Sequence, residues 1–226
     1  MELLVFGHGG ASVIFFPARL GRFYDYENWK VIESLRPKIE KGYIQVYCVD
    51  SIDCQSFYNY GCHPAQKVQR HIQYEQYIIN EVIPLIRSKN PGSFTMAAGC
   101  SLGAYHAMNI ALRNPCLFNK VVGMSGRYDL TINIGHYEDL LSGYWDENVY
   151  FNMPMQYLSN LSDPDMLCKI KQMEIVMAIG QDDVLLENNW TLNRTLSEKG
   201  ARTCLHVWDQ EAHRARWWRQ MVNNYL

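Results

Sequence analysis

The stretch FTMAAGCSLGAYHAMNIAL, residues 94–112, joins a continuous apolar segment to an amphipathic one. Residues 94–99 predict a buried strand, and residues 102–113 have the spacing of a helix. Between them the pattern G-x-S-x-G holds Ser101 between two glycines, which let strand and helix approach closely. Such a junction lifts a serine hydroxyl above a sheet edge, so Ser101 is a candidate nucleophile. Cys100 is off-centre in the pattern and is expected to pack beneath the turn.

Short apolar, β-branched segments of the same kind recur along the whole chain. They predict strands at 2–6, 12–16, 44–49, 94–99, 120–125, 174–180 and 203–208. Helical patterns lie between them, near 28–41, 65–90, 102–113, 184–199 and 211–224. Segment 2–6 is expected to pair antiparallel with 12–16 through the turn GHGG. We predict a single α/β domain over 1–226, with a mostly parallel central sheet and helices on both faces.

Residues 127–168 interrupt this alternation. The segment is rich in tyrosine and contains no clear strand, although it lies between two predicted strands. A long excursion of this kind is more often functional than idle. We interpret it as a set of short helices that form a partial lid, with simple packing over the sheet as the alternative.

Composition narrows the function classes. The chain has 226 residues, a formal charge of −2 and a pI near 6.4, which excludes the strongly basic surface typical of nucleic-acid binding. We predict no membrane partner, because no segment is long enough to span a bilayer and no signal peptide is evident. Seven cysteines without a CxxC pair indicate free thiols and a cytoplasmic location. The spacing of Cys54, Cys62 and His63 matches no zinc pattern, so no metal or other cofactor is predicted.

Two acidic residues follow the predicted strand 174–180 directly, in the sequence IGQDD. In an α/β-hydrolase the acid follows a late strand and precedes the histidine in chain order. Either Asp182 or Asp183 could serve, while the other would cap the next helix, and spacing favours Asp183 slightly. Asp129, shortly after 120–125, is a third candidate that we interpret as a solvated loop carboxylate.

The histidine that completes such a triad is expected after the last strand. His213 lies in a loop that follows 203–208 and opens the final helix. His206 lies inside that predicted strand, where a packed or surface role is expected. Chain order and strand position therefore agree for Ser101, Asp183 and His213 as nucleophile, acid and base.

Three motifs carry a resemblance to a known family. AAGCSLGAYHA around Ser101, IGQDD around Asp183 and AHRARWWRQM around His213 resemble the esterase D, or putative esterase, family of α/β-hydrolases. That family includes feruloyl esterases, S-formylglutathione hydrolases and mycolyltransferases. The resemblance covers nearly the whole chain, although Leu102 stands where a methionine is common. Its G-x-x-D pattern favours Asp183 over Asp182.

An oxyanion hole needs two backbone N–H groups beside the nucleophile. One is expected from Leu102, the residue after the nucleophile. Resemblance to the mycolyltransferases implies Leu20 for the second, with Arg19 as the next choice. The stretch His8–Gly10 resembles an oxyanion-hole motif of lipases, but a strand starts almost at once, so we interpret it as a hairpin turn.

The substrate pocket is expected at the carboxyl ends of the strands. Candidate substrate-binding residues there are Arg19, Arg22, Tyr24, Arg127 and Tyr128. The arginines would hold a carboxylate or sugar hydroxyls, whereas surface solvation is the alternative.

The resemblance implies a serine carboxylesterase that acts on a small or polar ester through an acyl-enzyme. An acyltransferase and a non-catalytic ligand-binding protein are the alternatives, and exposed aromatics in 144–157 leave a homo-oligomer open.

Overall fold

The computed structural model describes residues 1–226 and contains one seven-stranded sheet. Its strands are β1 (Leu3–Phe6), β2 (Ala11–Phe16), β3 (Ile44–Val49), β4 (Thr95–Cys100), β5 (Lys120–Met124), β6 (Glu174–Gly180) and β7 (Arg202–Trp208). Their spatial order is β1-β3-β2-β4-β5-β6-β7, and every pair is parallel except β1 with β3. All seven predicted strands are present, and β4 lies at the centre of the sheet.

Ten α-helices surround the sheet. They are α1 (Asp25–Asn28), α2 (Val31–Glu40), α3 (Pro64–Tyr77), α4 (Ile83–Lys89), α5 (Leu102–Arg113), α6 (Glu147–Phe151), α7 (Pro154–Asn160), α8 (Pro164–Gln172), α9 (Leu186–Glu198) and α10 (Ala215–Tyr225). A π-helical turn at Ile78–Val82 joins α3 to α4, so the predicted helix 65–90 is one interrupted rod. None of the helices is both long and apolar enough to cross a membrane.

The predicted pairing of β1 with β2 is wrong, because β3 lies between them. Leu3 faces Val49 and Phe6 faces Val46 in an antiparallel register, and β2 pairs with the other side of β3. The four-residue link therefore crosses the start of β3. Gly10 has φ +84° and lies so close to Tyr43 that a Cβ would fall 2.3 Å from its backbone. The glycines of the link thus permit a crossing that a simple hairpin would not need.

Alternation along each strand builds a core on both sheet faces. On β2, Val13 and Phe15 face the side covered by α2 and α10. Ile14 and Phe16 face the other side, which α3, α4, α5 and α9 cover. α5 is buried along almost its whole length, because it packs on the central strands directly behind the turn at Ser101.

The insertion 127–168 consists of two parts in the structure. Residues 127–141 form a loop at the carboxyl edge of the sheet, with one isolated bridge between Ile134 and Tyr137. The short helices α6 and α7 lie away from that edge, where α6 packs on α3 and α7 packs on α5 and α9. The expected short helices are present, but the part of the insertion that reaches the predicted site is the loop.

Candidate active site

Ser101 lies in a sharp turn between β4 and α5. Its backbone has φ 56° and ψ −117°, a conformation that non-glycine residues rarely adopt and that stores strain. A Cβ on Gly99 would lie 2.2 Å from the Gly103 carbonyl, and one on Gly103 would lie 2.3 Å from the Phe16 oxygen. Both glycines of the motif are therefore required by close backbone approach. The turn is further held by a hydrogen bond from the Ser101 N–H to the Met124 carbonyl, at 2.8 Å.

Cys100 and Tyr26 support the turn from below. The Tyr26 hydroxyl donates to the Phe16 carbonyl at 2.7 Å and accepts from the Cys100 N–H at 3.1 Å. The Cys100 side chain is fully buried, and burial raises the pKa of its thiol. A buried thiol with a raised pKa is a poor nucleophile. Cys100 is therefore a packing residue, and Ser101 is the group presented to the pocket.

Asp183 and His213 meet at the carboxyl ends of β6 and β7. The His213 Nδ1–H donates to Asp183 Oδ2 at 2.7 Å, while the other oxygen, Oδ1, accepts from the Leu185 N–H at 2.9 Å. Asp183 is almost fully buried. The carboxylate is thus oriented from both sides, and it fixes the imidazole tautomer that leaves Nε2 as an acceptor.

Tight packing sets the position of the histidine loop. A Cβ on Gly180 would lie 2.1 Å from the Glu211 carbonyl, so this glycine lets the acid and histidine loops approach. The Ser125 hydroxyl donates to the Ala212 carbonyl at 2.9 Å and accepts from the Trp218 indole N–H at 3.0 Å. These contacts anchor the backbone on both sides of His213.

The alternative acids and base lie elsewhere. Asp182 is exposed and has no side-chain partner, and Asp129 Oδ1 accepts from the N–H and hydroxyl of Thr131. His206 lies on β7, where its ring stacks on Tyr225 at 4.7 Å. None of the three contacts His213, so the structure brings together only Asp183 and His213 from this set.

A cavity of about 500 Å³ opens in front of Ser101. This volume is in the range of small-molecule sites. It is lined by Ala18, Arg19, Trp29, Tyr58, Ser101, Leu102, Arg127, His136, Tyr137, Glu211, His213, Arg214, Ala215 and Trp218. Three arginines and a single carboxylate among these residues make its walls rich in positive charge.

The loop after β2 differs from the expectation for the oxyanion hole. The Leu20 N–H donates to Asp53 Oδ2 at 2.6 Å, and Leu20 is held at φ 56°. This donor is therefore already occupied, which corrects its assignment as a free oxyanion donor. The Arg19 N–H has no acceptor in the protein, and Arg19 lines the cavity. Leu102 is the first residue of α5, where backbone N–H groups lack partners within the helix.

Three of the predicted substrate-binding residues do not line the cavity. Arg22 forms a bidentate pair with Asp50, at 2.8 and 3.0 Å, and Tyr24 lies beside it on the exposed surface. Tyr128 is fully buried, because its ring fills the space above Gly123. These side chains were expected to line the pocket, but Arg22 is held by its ion pair with Asp50, Tyr24 lies on the surface, and Tyr128 packs in the core.

Arg127 lines the cavity but is already engaged. Its guanidinium donates to the carbonyl groups of Asp129, Leu130, Ile132 and Glu138. It thereby holds the loop 127–141 in its curved path. Arg19 is the remaining predicted arginine at the cavity, and it has no ion-pair partner.

Tyr137 is a residue beside His213 that the sequence analysis did not single out. Its hydroxyl lies 3.3 Å from His213 Nε2. Burial, followed by the charge of Asp183, raises the pKa of Tyr137 to about 12. Trp29, Tyr58, His136, Glu211, Arg214 and Trp218 also line the cavity without having been predicted. Arg214 and Trp218 had a signal, because both lie in the motif AHRARWWRQM, and His136 lies in the insertion 127–168 that was interpreted as a partial lid.

The open sheet order, the strained serine turn after the central strand and the Asp–His pair after the last two strands define an α/β-hydrolase. The sequence profile of the putative esterase family matches residues 26–223, most of the chain. The chain belongs to the putative esterase family, which confirms the resemblance of its three motifs, and it is an esterase-type enzyme. A sequence comparison with curated proteins returns no significant match.

Solved structures with the same fold include several esterases. A ferulic acid esterase superposes with a TM-score of 0.74 at 16% identity, over 98% of this chain and 89% of that chain. An S-formylglutathione hydrolase from Agrobacterium tumefaciens gives 0.72 at 15% identity, over 98% and 86% of the two chains. The fluorophosphonate-binding serine hydrolase F of Staphylococcus aureus gives 0.65 at 17% identity, over 96% and 82%. At these identities the likeness shows the fold.

Proposed function

We propose that this protein hydrolyses small or polar carboxylic esters through an acyl-enzyme on Ser101. The observation that carries the proposal is the 2.7 Å contact between Asp183 and His213, whose Nε2 borders the cavity that also contains Ser101. An Asp–His pair at the same cavity as a candidate nucleophile supports the nucleophile–base–acid mechanism that activates a serine. Membership of the putative esterase family supports the same reaction class.

In the proposed reaction Ser101 Oγ attacks the ester carbonyl carbon and its proton passes to His213. Asp183 stabilises the imidazolium that results. The carbonyl oxygen becomes negative and accepts from the Leu102 N–H, at the positive end of α5. The proton then moves to the departing alcohol as the C–O bond breaks. Water, activated by His213, releases the acid from the acyl-enzyme and restores the serine hydroxyl.

The second oxyanion donor is inferred to be the Arg19 N–H rather than that of Leu20. The Leu20 N–H already donates to Asp53, whereas the Arg19 N–H has no acceptor in the protein and Arg19 lines the cavity. The Arg19 side chain is also a cation without an ion-pair partner at the cavity, and it is available to attract an anionic group on a substrate. Arg127 is excluded from that role because its guanidinium binds backbone carbonyls.

Hydrolysis of p-nitrophenyl acetate, butyrate and octanoate by the wild type and Ser101→Ala tests the proposal. We expect kcat to fall at least about 10³-fold in the variant, because removal of the nucleophile ends acyl-enzyme formation. A fluorophosphonate probe should label the wild type and leave Ser101→Ala unlabelled. A folded wild type that shows neither hydrolysis nor labelling would refute the proposal, and equal activity in both proteins would refute the assignment of Ser101.

A further inference from the structure

The cavity in front of Ser101 has positive charge on its walls that no carboxylate neutralises. Arg19 lines the cavity and forms no ion pair with any residue of the chain. Arg127 also lines it, and its guanidinium donates to four backbone carbonyls, which are neutral acceptors. Glu211, the one carboxylate among the lining residues, is exposed and pairs with neither arginine. The positive potential is therefore available to a bound molecule.

Tyr58 places a hydrogen-bond donor beside Arg19. The Arg19 Cζ lies 6.0 Å from the centre of the Tyr58 ring, and both residues line the cavity. Tyr58 is only 9% exposed, and it belongs to the buried apolar cluster that includes Leu102 at the start of α5. Its position is therefore fixed by packing, whereas its hydroxyl donates to no acceptor of the chain.

The location of this pair relates it to the reacting atoms. The Arg19 N–H is the proposed second oxyanion donor, so the Arg19 side chain leaves the backbone beside the ester carbonyl. Tyr58 packs in the same cluster as Leu102, whose N–H is the first oxyanion donor. A group held by Arg19 and Tyr58 would thus lie on the substrate near the carbonyl that Ser101 attacks.

The chemistry of the pair matches a carboxylate better than a sugar. A guanidinium presents a planar fork of N–H donors, and an ionised carboxylate only accepts hydrogen bonds. Burial raises the pKa of Tyr58, so its hydroxyl stays protonated at neutral pH and supplies a further donor. Sugar hydroxyls must also donate, but neither Arg19 nor Tyr58 adds a charged acceptor for them.

We propose that Arg19 and Tyr58 form a carboxylate-binding subsite, and that the substrate is an ester that carries a carboxylate. This inference rests on the proposed esterase function and names its substrate class. Arg19 and Tyr58 determine specificity, because the group that they bind takes no part in the bond change. Arg127 does not bind the anion directly, but its charge adds to the potential of the cavity. Such local potential attracts an anionic substrate although the whole chain has a formal charge of −2.

Paired substrates that differ by one charge test the subsite in the wild type. Mono-p-nitrophenyl adipate and p-nitrophenyl hexanoate place the charge on the acyl part. The ester 4-acetoxybenzoate and its methyl ester place it on the alcohol part. For one of these pairs we expect kcat/KM to be at least about 10-fold higher for the anionic member, chiefly through a lower KM. Raising the salt concentration from about 0.05 M to about 0.5 M should reduce this preference at least about threefold, because salt screens the arginine charge.

Variants assign the preference to the two residues. Arg19→Gln should lower the ratio of the two kcat/KM values about 10-fold, and Tyr58→Phe should lower it about threefold. Arg19→Lys should retain part of the preference, because an ammonium keeps the charge but loses the planar fork. Both members of a pair use the same oxyanion donors, so the ratio is insensitive to a disturbance of the oxyanion hole.

Arg216→Gln is the matched control. Arg216 is exposed on α10, where its guanidinium lies 5.3 Å from the Trp217 ring, and it does not line the cavity. The ratio in this variant should stay within about twofold of the wild-type ratio.

Three outcomes would contradict the subsite or the function beneath it. A wild type that hydrolyses both neutral esters as well as their anionic partners would overturn the subsite and leave the esterase proposal intact, and this comparison needs no variant to fold. A preference that survives in Arg19→Gln and Tyr58→Phe but disappears in Arg214→Gln would overturn it too, since the arginine after His213 would then bind the anion. Absence of hydrolysis of all four esters, together with absence of fluorophosphonate labelling, would refute the proposed function itself.

Discussion

The molecule contains two Asp–His pairs with different surroundings. Asp183 and His213 are in hydrogen-bond contact at 2.7 Å, beside a cavity of about 500 Å³. Asp53 and His106 approach only to 3.6 Å, and both side chains are buried to 3% exposure or less. Neither ring nitrogen of His106 has a hydrogen-bond partner, and its ring lies between those of Phe16 and Phe57. The same two residue types thus occur once at an open site and once in the core.

The difference shows which features turn an Asp–His pair into a base. His213 has one nitrogen oriented by a carboxylate and the other directed at the cavity, as proton transfer requires. His106 has no accessible nitrogen. Asp53 binds the Leu20 N–H at 2.6 Å, so its strong hydrogen bond goes to the loop that borders the cavity. We infer that the first pair carries the chemistry and that Asp53 positions the backbone beside it.

The largest expected effect comes from breaking the first pair. Asp183→Asn should lower kcat about 10⁴-fold, because the amide no longer selects the tautomer that leaves Nε2 basic. Asp182→Asn is the matched control, since Asp182 is the adjacent residue, exposed and without a side-chain partner. Steady-state kinetics with p-nitrophenyl acetate measures both. A larger loss of kcat in Asp182→Asn than in Asp183→Asn would show that Asp182, and not Asp183, is the acid.

A smaller effect is expected when Asp53 becomes Asn. The charge-assisted bond to the Leu20 N–H would weaken, and the strained loop would lose its anchor. We expect kcat/KM to fall about 10-fold and the free energy of unfolding to fall by about 1–3 kcal/mol. His106→Phe, which removes two unpartnered nitrogens from the core, should leave kcat/KM within about twofold.

The opposite result for Asp53→Asn would also be informative. If its kcat/KM rises, release of the Leu20 N–H has improved the oxyanion hole. Leu20 would then be the second donor, as the family resemblance implied, and Arg19 would be wrong. Urea unfolding of the same variant separates this outcome from a general loss of structure.

The sequence was most informative where backbone geometry restricts residue choice. The turn at Ser101 requires Gly99 and Gly103, so its pattern can be recognised from the sequence alone. The candidate acid and histidine follow the strands in chain order, and the parallel sheet brings strand ends together. The five inner strands, β2 to β6, could be recognised equally well because buried strands are nearly continuous in apolar residues. The edge strands β1 and β7 are partly exposed, but both still contain short apolar segments.

Contacts between distant loops could not be predicted in this way. Asp53 reaches Leu20 across 33 residues, and Tyr137 reaches His213 across 76 residues, with no local pattern at either end. The pairing of β1 was wrong for the same reason, since insertion of β3 between β1 and β2 is a property of the whole sheet. The prediction that Tyr128 binds substrate failed because of side-chain direction: Tyr128 follows a strand end as expected, but its side chain turns into the core.

The smallest expected effect concerns stability alone and the core around the second pair. His71 lies 5.4 Å from His106, measured between ring centres, and the Asn109 amide contacts both His71 and Glu75, which pairs with Arg113. Burial, followed by the charges of His106 and Arg113, holds the pKa of His71 well below its usual value.

The folded state therefore excludes a proton that the unfolded chain binds below about pH 6.5. The His71 contribution to stability is complete above that pH and is lost as the pH falls. Its slope should approach about 1.4 kcal/mol per pH unit, the value for one proton.

Replacement of His71 by Phe should flatten this acid dependence, because no proton then distinguishes the two states at this position. Urea unfolding at about pH 5 and about pH 7.5 measures the slope. His206→Phe is the matched control, since His206 is exposed on β7 and should leave the slope unchanged. An unchanged slope in His71→Phe would place the acid-sensitive group elsewhere.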